Sequence, residues 1–383
     1  MKRLIVCCDG TWNNADSKNA ETNVALMARA IHANPNDGPQ QVVLYLRGLG
    51  SAGLMAETLW EGVTGYGIDE NIRTAYMFIA QNYVPDDEIF LFGFSRGAFT
   101  ARCLAGFISA CGILKRQKLF DLLDAWEYYR DVKKAPHTPE AFMRSKTTDC
   151  HVSAKINFLG VWDTVGALGI PSHLLTAKNE ERFAFYDTGP SLIVKHACQA
   201  LAIDEHRDQF VPTLWTGTPP ESMEIEQVWF VGAHSDVGGG YITRALADIP
   251  LVWMARKSEM DGLSLDWSCL PDPAKLDPLA PLHDSREGIF RVDRLTPTFR
   301  QIAKMPCAVS FYETLYAPSL NGVQLPTINQ AIHSSVVKRY GQKTTLCTDD
   351  HTGECEDQVY EARNLAPFFD TKKNYVDKPP VVD

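Results

Sequence analysis

The sequence predicts an α/β fold: a mostly parallel sheet with helices on both faces, elaborated by a lid-like insertion and an irregular C-terminal appendage. Three observations predict it. Short, continuously apolar runs rich in β-branched and aromatic residues recur at 2–8, 41–46, 88–92, 155–161 and 226–231. Several segments between them carry apolar residues at spacings of three and four, the period of a helix with one buried face. Each run also ends in a polar or glycine-bearing segment. Strands apolar throughout are buried on both faces, and their alternation with helices argues for parallel pairing through crossovers. Ligand chemistry in such sheets sits at the C-terminal strand ends.

The first run, 2–8, ends at Asp9-Gly10-Thr11-Trp12-Asn13, a strand followed by a turn. Val24, Leu26, Met27, Ala30 and Ile31 then mark a helix over 22–33. The cycle repeats with strand 41–46, a glycine-rich loop over 48–67, helix 68–83, the turn Pro85-Asp86-Asp87 and strand 88–92. Small and apolar residues from Ala98 to Ile108 predict a helix over 96–112 stopped by Gly112. Residues 191–203 read as helical, and 242–257 as the helix after the fifth strand. Leu119, Phe120, Leu122, Leu123, Trp126 and Tyr129 place an amphipathic, lid-like insertion at 115–150. The core is expected over 1–257. From 258 to 383 prolines become dense and the period fades, so this part is expected to be an appendage packed on the core, with a polar tail over 372–383 that frays.

Composition narrows the function classes. The formal net charge of −10 opposes nucleic-acid binding, which needs clustered Lys and Arg. No run of about 18 apolar residues occurs, and the N-terminal run is too short for a secretory signal. A cytoplasmic protein is the expectation, with signal-independent export and transient contact with a membrane surface left open. The ten cysteines are scattered and read as buried thiols. Cys347, His351 and Cys355 make only three of the four ligands a structural zinc site needs, so no metal is expected. Nothing calls for a cofactor, and the oligomeric state is undetermined by sequence.

Gly93-Phe94-Ser95-Arg96-Gly97 carries the chemistry. It follows a strand and opens a helix, the setting of a nucleophile elbow, where flanking glycines relieve a strained turn that exposes a serine. A simple serine N-cap would account for Ser95 but not for both glycines. A hydroxyl nucleophile needs a histidine base and an acid that orients it. Asp163 follows the run 157–162 and His234 follows 228–233, in the Ser, acid, His order of α/β-hydrolases. Asp236, two residues beyond His234, is the rival acid. The oxyanion donors are expected at the Arg96 N–H and at Gly10 or Thr11 after the first strand.

Asp9-Gly10-Thr11-Trp12-Asn13, Gly67-x-Asp69-Glu70-Asn71-Ile72, the elbow with Ala98, Gly160-Val161-Trp162-Asp163-Thr164-Val165-Gly166, Ala202-x-Asp204-Glu205 and His234-Ser235-Asp236-Val237-Gly238-Gly239-Gly240 occur in this order. Together they resemble the type VI secretion phospholipase-effector-like catalytic domains. The resemblance implies an α/β-hydrolase fold, a Ser-Asp-His triad, and phospholipase activity for characterised members. The expectation is therefore a serine hydrolase of carboxylic esters, of lipid or phospholipid acyl type. Acyl transfer and a non-catalytic, hydrolase-like binding protein are the alternatives. Leu49, Leu54, Met55, Leu59 and Trp60, with the apolar residues of the insertion, suit an acyl-chain groove or ordinary core equally.

Overall fold

The computed structural model describes residues 1–10, 20–35, 38–48, 66–131, 137–166, 189, 191–286, 295–303, 305, 307–317, 319–320, 323–324, 326–348, 354–376 and 378–383. Its centre is an eight-stranded sheet of β1 (Arg3–Cys8), β2 (Gln41–Leu46), β3 (Glu88–Phe94), β4 (Ile156–Trp162), β5 (Val194–Ala202), β6 (Glu224–Phe230), β7 (Gln330–His333) and β8 (Val381–Val382). The spatial order is β8-β7-β6-β5-β4-β3-β1-β2, and every pairing is parallel. Alternate residues serve opposite faces, as the pleat requires. Ile5 and Cys7 join one buried cluster with α1 (Asn23–Ala30), while Leu4, Val6 and Cys8 join the other with α2 (Tyr66–Asn82) and α3 (Arg96–Cys111). The mostly parallel α/β expectation holds.

Residues 191–203 do not form the expected helix. Ala, Gln and Leu favour a helix there, yet β5 is hydrogen-bonded to β4 and β6 on its two edges and buried along nearly its whole length. Tertiary pairing overrides local propensity. The helix expected over 242–257 starts later: a short helix, α6 (His234–Gly238), follows β6, and α7 (Asp248–Met260) then covers the sheet.

The insertion at 115–150 places α4 (Leu122–Arg130) and α5 (Pro139–Lys146) against α3. Trp126, Tyr128, Tyr129 and Phe142 are buried, and Tyr129 donates to the Cys103 carbonyl at 3.1 Å. These aromatics are core. Leu49 to Trp60 lie outside the described residues.

The segment after residue 258 contributes two strands to the sheet. β7 pairs with β6, and β8 pairs with β7, where the Ile332 N–H donates to the Pro380 carbonyl at 2.8 Å. The tail expected to fray is thus anchored. Cys347 and Cys355 are disulfide-bonded across an antiparallel pair, Lys343–Cys347 with Cys355–Val359, instead of being thiols; the other eight cysteines are free. His351 lies outside the described residues. Among those described, no helix is long and apolar enough to cross a membrane.

Gln227 stitches this late segment to the core. Its buried amide accepts from the Trp215 N–H at 2.7 Å and donates to the Ile328 carbonyl at 2.6 Å. Gln227→Leu leaves both backbone groups unpaired and lowers stability by about 2–4 kcal/mol. Urea unfolding monitored by tryptophan fluorescence checks this; an unchanged midpoint would refute it.

Candidate active site

The strand order sets the place. β2 lies beyond β1 on one side of β3, and β4 to β8 extend on the other. Connections therefore wind in opposite directions from the gap between β1 and β3, the point at which ligands bind in such sheets, at the C-terminal edge. Ser95 stands at that point, between the last residue of β3 and the first of α3.

Its backbone is held at φ 58° and ψ −125°, a strained conformation for a residue with a side chain. The flanking glycines make this possible. A Cβ on Gly93 would lie 2.5 Å from the Gly97 carbonyl oxygen, and one on Gly97 would lie 2.2 Å from that of Cys8. The elbow is thus pressed against the end of β1. The Ser95 side chain makes no capping bond to α3, so helix capping does not explain the residue. The Ser95 N–H donates to the Trp162 carbonyl at 3.1 Å, tying the turn to the end of β4.

Asp163 is the next residue of that strand end. It is fully buried, takes φ 38°, and accepts from His234 Nδ1–H at 2.6 Å. This bond assigns the proton to Nδ1 and leaves the lone pair on Nε2. The His234 ring packs on Phe94, the neighbour of Ser95, at 4.6 Å between centroids, and on Phe210 at 4.9 Å. Burial, opposed by Asp163, pushes the imidazole below its ordinary pKa.

Arg300 holds the rest of the Asp163 carboxylate. It donates to Oδ1 at 2.6 Å and to Oδ2 at 3.0 Å, and also to the carbonyls of Ala202 and Phe210. The Ala202 N–H supplies a further bond to Oδ1 at 3.0 Å. Burial pushes Asp163 upward, but Arg300 and His234 outweigh it and hold the carboxyl below the usual range. Sequence reasoning missed Arg300. It stands in a short strand, Thr298–Arg300, with no motif around it, well after the last recognisable repeat of strand and helix.

Three more carboxylates, those of Glu205 and Asp236 buried, hold the backbone of the histidine loop. Asp204 accepts from the Gly232 N–H at 2.8 Å, Asp236 from Ala233 at 3.1 Å and Glu205 from His234 at 3.2 Å. Glu205 is itself paired with Arg207 at 2.8 Å and takes the Ser285 hydroxyl at 2.9 Å. Burial raises its pKa, but the Arg207 charge and hydrogen bonds prevail and depress it well below the usual value. Asp204 and Glu205 thus hold the backbone of this loop. Asp236, the rival acid, binds a different histidine: His283 Nδ1 donates to its Oδ1 at 2.6 Å.

The expected oxyanion donors are less complete. The Arg96 N–H stands at the first position of α3, directly after Ser95. The Gly10 N–H is directed to Asp9 Oδ1 at 2.7 Å, with Thr22 and Tyr45 hydroxyls on Oδ2, so Asp9 orders the strand end while engaging the Gly10 amide. Thr11 lies outside the described residues.

Among the described residues, His196, Cys198 and Glu226 group their ligand atoms within 4.8 Å of one another. Lys257 already pairs with Glu226 at 2.7 Å, and Asp261 takes His196 Nδ1–H at 2.6 Å. The cluster sits toward the N-terminal half of β5, away from the strand end that faces Ser95.

A family model described as the T6SS phospholipase effector Tle1-like catalytic domain matches residues 2–257. The uncharacterized protein YEL023C of Saccharomyces cerevisiae is 30% identical over 240 residues, 57% of this chain and 33% of the yeast protein. Two solved structures are similar at lower identity. One, the crystal structure of an uncharacterized protein from Pseudomonas aeruginosa, shows 17% identity and a TM-score of 0.41 over 71% of this chain and 48% of that one. The other, the Tle1 effector bound to the VgrG spike from the Type 6 secretion system, shows 22% and 0.34 over 63% and 51%. The chain spans a third of the yeast relative's length and about half of each structure's. The family match covers the elbow, Asp163, Glu205 and the His234 loop, and on that basis the chain belongs to the T6SS phospholipase effector Tle1-like catalytic domain family.

Proposed function

We propose that this chain is a serine hydrolase of carboxylic esters, acting on lipid or phospholipid acyl esters through Ser95, His234 and Asp163. One observation carries the reading: a buried His234–Asp163 pair at 2.6 Å beside a serine held in a strained turn at the C-terminal sheet edge. An α/β-hydrolase-like architecture follows from the same features, as strand, elbow and helix meet at the nucleophile with acid and base on later strand ends. The lipid substrate comes from the family match.

His234 Nε2 takes the Ser95 hydroxyl proton as Oγ adds to the ester carbonyl. The oxyanion is held by the Arg96 N–H, with a second donor from the loop after β1. Thr11 is the better candidate there, because Asp9 engages Gly10. The imidazolium returns its proton to the leaving alcohol, and water, activated by the same base, hydrolyses the acyl-enzyme. Asp163 keeps the tautomer and stabilises the transient charge on the ring.

Ser95→Ala abolishes labelling by a fluorophosphonate probe and hydrolysis of p-nitrophenyl and phospholipid esters, with the circular dichroism spectrum retained. Unchanged labelling would overturn the reading, and an unreactive wild type would favour a binding protein. Because His234 titrates below the ordinary histidine value of 6.5, the acid limb of kcat/KM falls below that pH. A limb at or above 6.5 would contradict the buried base.

The Glu205 clamp gives a separate prediction. A carboxyl depressed in the folded state stabilises the fold above its unfolded value, near 4.5, and that contribution is lost as pH falls toward the folded one. Stability therefore declines below about pH 4.5, and Glu205→Gln makes the decline shallower. Urea midpoints across this window measure it, and parallel curves for the two proteins would refute it.

A further inference from the structure

Arg300 lies outside the family-matched residues, and its side chain is 1% exposed. Its guanidinium fork spans both oxygens of Asp163 while its remaining bonds go to the ends of β5 and of the segment before Phe210. A fork of this kind fixes the rotation of a carboxylate as well as its position. The oxygen that takes His234 Nδ1–H is the same Oδ2 that Arg300 contacts, so the arginine fixes the acceptor on which the ring is aligned.

We propose that Arg300 is a positioning residue of the Ser95 site: it sets the orientation of Asp163, cancels much of its charge, and thereby determines the pH range over which His234 serves as base. This rests on the triad reading above. The charge balance around His234 supports it. Asp163 faces the ring from the end of β4, and Glu205 and Arg207 face it from the segment after β5. Asp236 lies on its own helix, where it bonds to His283 Nδ1. Arg300 also acts on Glu205, but Glu205 is ion-paired with Arg207, whereas Asp163 has Arg300 itself on both oxygens. With the arginine in place, the ring is less stabilised as imidazolium and stays a neutral base to lower pH. The same pairing fastens the site to the later part of the chain, since Asn364 donates to the carbonyls of Ile203 and Arg300.

The test measures the rate of fluorophosphonate labelling of the full chain from pH 5 to 9, comparing wild type with Arg300→Gln, Arg300→Lys and Ser95→Ala. Folding is followed by circular dichroism and melting temperature. In Arg300→Gln the acid limb moves up by about one pH unit and the plateau falls about tenfold or more. Arg300→Lys retains the charge but not the fork, so its limb stays near that of wild type while its plateau falls. A folded Arg300→Gln protein with an unmoved limb would overturn the proposal. If that variant does not fold, Arg300→Lys decides: wild-type rates, or a loss matching only the unfolded fraction, would overturn it. Labelling that persists in Ser95→Ala would instead remove the triad reading.

Discussion

A carboxylate with no exposure to water must be compensated inside the protein, and Asp163 imposes that demand on everything around it. Its partners come from three separate stretches of chain: the Ala202 N–H at the end of β5, the His234 loop after β6, and Arg300 from the late strand. Removing one partner of such a pair typically costs about 3–5 kcal/mol, because the remaining charge stays buried. The interaction that orients a candidate catalytic base therefore also registers the strand ends and the later part of the chain against each other.

A second constraint is steric and acts on the nucleophile. The elbow is possible because two glycines let α3 approach β3 and the end of β1 more closely than any side chain permits. Gly238 repeats the device on the histidine side, where a Cβ would sit 1.9 Å from the Phe94 ring. That ring lies between the two: it precedes Ser95 in sequence and stacks on His234 in space. Strain at Ser95 is thus held by close packing from both sides, as expected where the surroundings over-determine an unfavourable backbone.

The histidine loop shows the same economy in its polar groups. Three consecutive N–H groups, of Gly232, Ala233 and His234, each meet a different carboxylate. Glu205 is in turn ion-paired with Arg207, Asp236 bonds His283, and Asp204 accepts the Tyr360 hydroxyl. A loop held by its backbone in this way presents its ring in a fixed direction.

Much of the fold and the candidate site was legible in the sequence, because continuous apolar strands and glycine-flanked turns are local signals. The five strands from β1 to β4 and β6, the helix after Ser95, and the emergence of Asp163 and His234 at strand ends could all be read that way. β5 was not, since its residues favour a helix and only pairing on both edges decides otherwise. β7 and β8 were too short to announce themselves, and the Cys347–Cys355 bond depends on a register that no spacing specifies. The choice between Asp163 and Asp236 as partner of His234, the diversion of the Gly10 amide to Asp9, and the arrival of Arg300 were decided by the tertiary structure. The physical reason is common to all three: a sequence states which groups need partners, whereas only the folded chain brings together, across 137 residues in the case of Arg300, the groups that supply them.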